Sequence, residues 1–297
     1  MSSSPELFRA LAVVTEGTSP AHQRVAASLG VAVDPAAYTD LFCFQLPPYA
    51  SIHLGAEGML GGEAADRVAG FWRALGLVPP AEPDHLAALL GLYAALAEAE
   101  AGEADVARRL LRGEARRALL WEHLLPWVPV YAVKLAGVAP PRYRAWAEIL
   151  QAALLEAATV SEPPAVLALH LRLAPPPPRP DSAVDELLAG LLAPVRSGMV
   201  VTRADLARAA RHLGLGLRMG ERRFALRSLL DQDAPGMCRW LAGEARWWAE
   251  QHDGLEPALG AVARFWCDRA GTTAALLGRA GETASGGATF DIPAWSR

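Results

Sequence analysis

Lysine is almost missing from this chain. Lys134 is the single lysine among 297 residues, and the remaining basic charge is arginine, a bias of genome composition (GC-rich or thermophilic) rather than of function. Cysteine is nearly as scarce. Cys43, Cys238 and Cys267 lie far apart, fit no metal-ligand or redox spacing, and are expected to be buried thiols of a reducing cytosol. Although 52% of residues are apolar, no apolar run approaches the ~18–20 residues of a membrane span. The opening Met-Ser-Ser-Ser-Pro-Glu lacks a basic segment followed by an apolar one, so no secretory signal is expected. A net charge of −4 argues against nucleic acid as a whole-chain partner. Signature catalytic motifs are missing too: there is no phosphate loop, no dinucleotide-binding glycine pattern, no nucleophile elbow and no H-E-x-x-H. The seven histidines are scattered. Asp84-His85 looks superficially like a metal dyad, but nothing at ligand spacing joins it. The expectation is a protein with no catalytic residues, no metal and no cofactor.

What is present is helical. Ser4-Pro5-Glu6, Ser19-Pro20 and Asp34-Pro35 each pair a capping side chain with a proline suited to the first helical turn, and Gly17 and Gly30 close the first two helices. The third carries Tyr38, Leu41, Phe42 and Phe44. The stretch Gln45–Leu54 is too rich in proline for a helix and too apolar for a free loop. A helix is expected from about Glu63 to Leu75, with Val68, Phe71, Trp72 and Leu75 on one face and Gly76 as its stop. A second run starts near Glu103 and reaches Trp121, where Pro126 and Pro129 must break or kink it. Another spans roughly Arg142 to Ala158. Val166–Leu173 fits a strand or a short helix equally. The chain is expected to be all-α.

Pro175–Pro178 with Arg179-Pro180 is the clear linker, stiff and extended and unable to join a core. It divides the chain into a helical domain over 1–174, a linker over 175–181, a C-terminal helical extension over 182–278 and a flexible tail over 279–297. The extension holds Thr202-Arg203-Ala204-Asp205, close to a capping box, and helices near 221–230, 235–251 and 256–277.

Between Pro80 and a run of leucines stands Glu82-Pro83-Asp84-His85-Leu86. Pro83 suits a helix start, Glu82 and Asp84 suit the positive end of the helix dipole, and Leu86, Leu89, Leu90, Tyr93 and Leu96 recur at helical steps up to about Ala101. His85 is not explained by capping. From Glu82 to Asp105 there are six acidic residues and no Lys or Arg, which suits either a solvated helix face or a landing surface for a basic peptide. From Arg196 to Arg227 the balance reverses: eight arginines face Asp205 and Glu221, net +6. Two helices joined through glycines there keep open a helix-turn-helix reading, a DNA-binding regulator working through Arg203–Arg227.

Three segments together resemble the TorD-like redox-enzyme maturation chaperones. They are Tyr38-Thr39-Asp40-Leu41-Phe42 with the Pro47–Leu54 loop, Glu82-Pro83-Asp84-His85-Leu86, and His123-Leu124-Leu125-Pro126-Trp127. The second is similar to the family's E-P-x-D-H signature, one residue shorter between Pro and Asp; the third to its H-L-x-P-W segment. The likeness covers roughly residues 5–160. It implies an all-helical, cytoplasmic bundle, here with additional C-terminal helices, that is not an enzyme. Such a protein binds the twin-arginine signal peptide or N-terminus of a molybdenum-containing oxidoreductase subunit and assists cofactor insertion and assembly before export. It implies a monomer or a helix-exchanged dimer, no stable membrane insertion, and a peptide site of Glu82, Asp84, His85, Tyr49, His53, His123, Trp127, Phe44 and Trp72. The chemistry agrees. Two guanidinium groups followed by an apolar stretch call for carboxylates beside an apolar groove, with His85 adding pH sensitivity.

Overall fold

The computed structural model describes residues 4–31, 33–179 and 182–283. It is all-α: no strand occurs among the described residues. In chain order the helices are α1 (Pro5–Glu16), α2 (Pro20–Ser28), α3 (Pro35–Tyr38), α4 (Ala50–Leu54), α5 (Gly62–Ala74), α6 (Leu86–Ala101), α7 (Val106–Ala118), α8 (Val128–Val138), α9 (Pro141–Thr159) and α10 (Leu169–Arg172), then α11 (Val184–Leu192), α12 (Pro194–Ser197), α13 (Arg203–Leu213), α14 (Arg222–Gln232), α15 (Ala234–Asp253), α16 (Glu256–Leu259) and α17 (Ala261–Thr283). Two π-helical turns, Thr39–Gln45 and Leu119–Leu124, extend α3 and α7. The described chain forms two compact units: one takes the chain to Ile52 together with Leu60–Arg172, the other His53–Met59 and the chain from Leu173 on.

Local chemistry accounts for the first helices. Ser4, Ser19 and Asp34 accept the amides of Leu7, His22 and Ala37, and each stands before a proline whose missing N–H is no loss in a first turn. α6 differs from expectation. It begins at Leu86 rather than Pro83, because His85 is its cap, its Nδ1 accepting the Ala87 amide at 3.2 Å. The residues before it are drawn into extended pairing with another segment. Proline also fails to keep Ala50–Leu54 from forming α4, since Pro47 and Pro48 precede its first turn.

The core of the first unit is aromatic. Phe8 meets Tyr93 edge-on at 4.6 Å, Phe42 meets Tyr143 and Trp146, and the Trp146 indole donates to the Leu11 carbonyl. Leu89, Leu90, Leu120, Leu124, Leu150 and Leu154 fill the space between. At ~1.5–3 kcal/mol per buried side chain this cluster, rather than helix propensity, holds the unit together. Pro126 breaks the helix as expected, while Pro129 sits harmlessly in the first turn of α8. The ambiguous 166–173 stretch contains α10.

In the second unit α15 and α17 pack along each other, and His252 lies between Trp248 and Trp266 with its Nε2 2.8 Å from the Gly198 carbonyl oxygen. The proline run does join a core. Pro178 is buried, its ring lies 2.9 Å from where a Cβ on Gly190 would stand, and Arg196 and Arg269 donate to the carbonyls of Pro176 and Pro175. Four stiff residues cost little entropy to dock. Residues 279–283 of the expected tail continue α17; the rest of that tail lies outside the described residues. Cys238 is buried, Cys267 partly so, and Cys43 is exposed, contrary to expectation, on the solvent side of its π-turn. No described helix is long and apolar enough to cross a membrane.

Candidate functional site: a seam between two motif segments

The segment Pro47–Ala50 and the segment Asp84–Leu86 run antiparallel for a short distance. The Leu86 amide donates to the Pro48 carbonyl at 2.8 Å and the Ala50 amide to the Asp84 carbonyl at 3.0 Å, making Tyr49 and His85 an isolated β-bridge pair. Their rings meet edge-on at 4.8 Å. The Asp84 side chain, only 4% exposed, accepts the Ser51 amide at the start of α4. Ser51 in turn accepts the Gly61 amide, and the Trp72 indole of α5 donates to the Pro83 carbonyl. The loop from Gly76 to His85 is therefore pinned at several points to a rigid frame.

Burial and nearby charge set the state of the half-buried rings. With Nδ1 accepting from Ala87, the neutral His85 ring carries its proton on Nε2. Burial lowers its pKa, and the nearby charges of Glu82, Asp84 and Glu16 oppose that shift without cancelling it. The Tyr49 hydroxyl is raised by burial first and then by Glu82. Burial first, then Cys43, Glu16 at the end of α1 and Glu82, raise Tyr38 as well. Around Tyr38, Tyr49 and His85 the protein thus gathers three carboxylates. Glu82 is exposed, as are Leu77 and Val78 in its own loop.

The expected site residues separate into two groups. Tyr49, Glu82, Asp84 and His85 meet at the seam, with Trp72 half-buried behind Pro83. Within that group Asp84 is a structural anchor, its carboxylate engaged with Ser51. Phe44 is 60% exposed on the first π-turn. His53 is completely buried in α4. Trp127 is also fully buried and donates its indole N–H to the His123 carbonyl at 2.8 Å. The His123 ring packs on Phe71 and on His170 of α10 in the interior. Neither Trp127 nor His123 presents a surface to a peptide in this conformation. Of the six acids between Glu82 and Asp105, Glu98, Glu100 and Glu103 form ion pairs with Arg9, Arg116 and Arg112, and Asp105 caps α7. Two residues of the seam, Glu16 and Tyr38, are absent from the expected site. Tyr38 stands inside one of the motif segments, whereas Glu16 carries no local signal.

Among the described residues no cluster of three or more His, Cys, Asp or Glu side chains can hold a metal. In the second unit, five of the eight arginines in the basic stretch are engaged: Arg196 with Glu186, Arg208 with Asp205 and Glu244, Arg222 with the Val201 carbonyl, and Arg223 and Arg227 with Asp185.

No curated protein matches the chain significantly. Residues 26–132, a little over a third of the chain, match the family model described as nitrate reductase delta subunit. That stretch contains the seam apart from Glu16, both π-turns and the His123–Trp127 segment. The family is one of chaperones for molybdoenzyme maturation. Over residues 26–132 the chain is thus similar to the NarJ/TorD-type chaperone family.

Proposed function

We propose that the protein is a cytoplasmic, non-catalytic chaperone that holds the arginine-bearing N-terminal segment of a molybdenum oxidoreductase subunit while its cofactor is inserted. The observation that carries this reading is the seam itself, where Glu82 and Glu16 lie around Tyr38, Tyr49 and a neutral His85 whose proton sits on Nε2. Carboxylates beside aromatic faces are the complement of guanidinium groups, which pair with the former and stack on the latter. Leu77 and Val78 in the same loop offer apolar contact for the segment beyond the arginines. The pinned loop keeps the ordering cost of binding low.

The test is calorimetric titration of the full chain with a twin-arginine signal peptide. Glu82→Gln removes one carboxylate without touching the frame, and His85→Asn keeps a helix-capping oxygen and adds no charge while deleting the imidazole donor. Each is expected to weaken binding about tenfold, the scale of one charge-assisted hydrogen bond. Affinity unchanged in both variants would overturn the assignment of the seam. The engaged arginines give the duplex-binding reading no support.

A further inference from the structure

α7 is packed the wrong way round for a surface helix. One side of it is arginine-rich, the other is Val106, Ala107, Leu110 and Leu111. Amphipathic helices ordinarily bury the apolar side. Here the polar side is turned to α6. Arg112 donates to the Ala99 carbonyl and pairs with Glu103, and Arg116 pairs with Glu100 and donates to the Tyr93 hydroxyl at 3.0 Å. Gly113 faces the same way: a Cβ there would stand 2.9 Å from Glu100 Oε1. The apolar side is left in water, Val106 at 61%, Leu110 at 66% and Leu111 at 71% exposure, and no residue of α7 is buried. A contiguous exposed cluster of this kind on an ordered helix marks a contact surface.

Charge decides what covers it. α7 holds five arginines and one glutamate, net +4. The guanidinium groups of Arg108 and Arg109 have no ion pair among the described residues, although the other three arginines do. A second copy would bring two such helices together, with like charges opposed. An anionic bilayer would want the arginines free for headgroups and aromatic residues on the apolar side. Three of the arginines are engaged, and the apolar side has no aromatic residue. We propose that the exposed face of α7 docks an acidic amphipathic helix of a partner protein, its leucine-type stripe on Val106, Leu110 and Leu111 and its carboxylates on Arg108 and Arg109. This surface is separate from the Tyr49–His85 seam and does not depend on the function proposed for it.

The probe is a synthetic helix with leucines at three- and four-residue spacing and glutamates on both flanks, its binding to the full chain measured by fluorescence anisotropy. Saturable binding that falls with added salt is expected. Leu110→Ser with Leu111→Ser should weaken it about tenfold or more, as should Arg108→Glu with Arg109→Glu. The second pair should also transfer preference to the same peptide carrying lysine for glutamate. These positions are exposed, so far-UV circular dichroism and affinity for a twin-arginine peptide should not change. The proposal is overturned if wild-type protein fails to saturate, if a scrambled peptide binds equally, or if neither double variant alters affinity. It is also overturned if phosphatidylglycerol vesicles bind through Leu110 and Leu111 while the peptide does not, or if sedimentation shows a dimer that the leucine variant dissolves.

Discussion

The Asp84 carboxylate accepts the Ser51 amide at 2.9 Å, with both groups buried. A carboxylate just before the first turn of a helix ordinarily serves that helix. This one serves another, closing the start of α4 while its own backbone carbonyl accepts the Ala50 amide. Asp84→Ala leaves a buried amide without an acceptor, an expected loss of ~1–3 kcal/mol in urea unfolding. Asp84→Asn keeps an oxygen in place and should lose less. Peptide affinity should fall in the same order, because the loop that carries Glu82 is held by this bond.

Acid should loosen the first unit before the carboxylates protonate. Burial pushes His123 down to about 3, with His170 adding to the shift, and His170 down to about 4, with Arg67 adding to it. Unfolded imidazoles titrate near 6.5. Both folded values are depressed, so the stabilisation is complete above pH 6.5 and declines as pH falls toward 4. The loss is on the order of 3 kcal/mol per histidine by the lower limit. His252, lowered to about 4 in the second unit, has the same sign. Stability measured from pH 7 to 4 should therefore fall steeply, and less steeply in His123→Phe with His170→Phe.

Two glycines with similar backbones should respond very differently to alanine. Gly198 has φ +75°, and a Cβ there would stand 2.2 Å from the Ala270 backbone nitrogen. Gly214 has φ +69° and open space around it. Gly214→Ala is expected to cost about 1 kcal/mol of conformational strain. Gly198→Ala adds a backbone collision between α12 and α17 and should cost ~4 kcal/mol or more. Thermal unfolding of the pair of variants in a calorimeter separates them.

Trp72→Phe tests the remaining tie of the seam. It removes the donor to the Pro83 carbonyl from a half-buried ring. A global stability change of about 1 kcal/mol or less is expected, together with faster amide exchange in residues 77–85.

Helices whose signals are local are legible in the chain: Ser4-Pro5, Ser19-Pro20 and Asp34-Pro35 cap and open their own helices, wherever the rest of the molecule goes. The start of α6 is not, because it is settled by pairing with Pro48 and Ala50, more than thirty residues away. Pro178 looks excluded from a core because nothing near it in the chain announces Gly190. The motif residues lead to the seam, but type and spacing do not distinguish the exposed Glu82 from the buried Asp84 beside it, nor reveal that Trp127 and His123 face inward. His170 has no signal at all, standing alone on a four-residue helix. For α7 the periodicity is plain and its natural reading inverted: spacing reveals that a helix has two sides, and only packing reveals which is turned to solvent.

The two π-turns carry a consequence for chain length. Each holds its turn by an i→i+5 bond, Leu46 to Leu41 and Leu125 to Leu120, so each contains one residue more than a regular helix would use. Deleting a residue there would let an ordinary helix close, but would rotate the chain on one side of the turn relative to the other by ~100°. Trp121 and His123 would exchange an interior position for another direction. Single-residue gaps in these two stretches are therefore far more disruptive than gaps of the same size in the loops, and homologues should keep their length there even where the residues change.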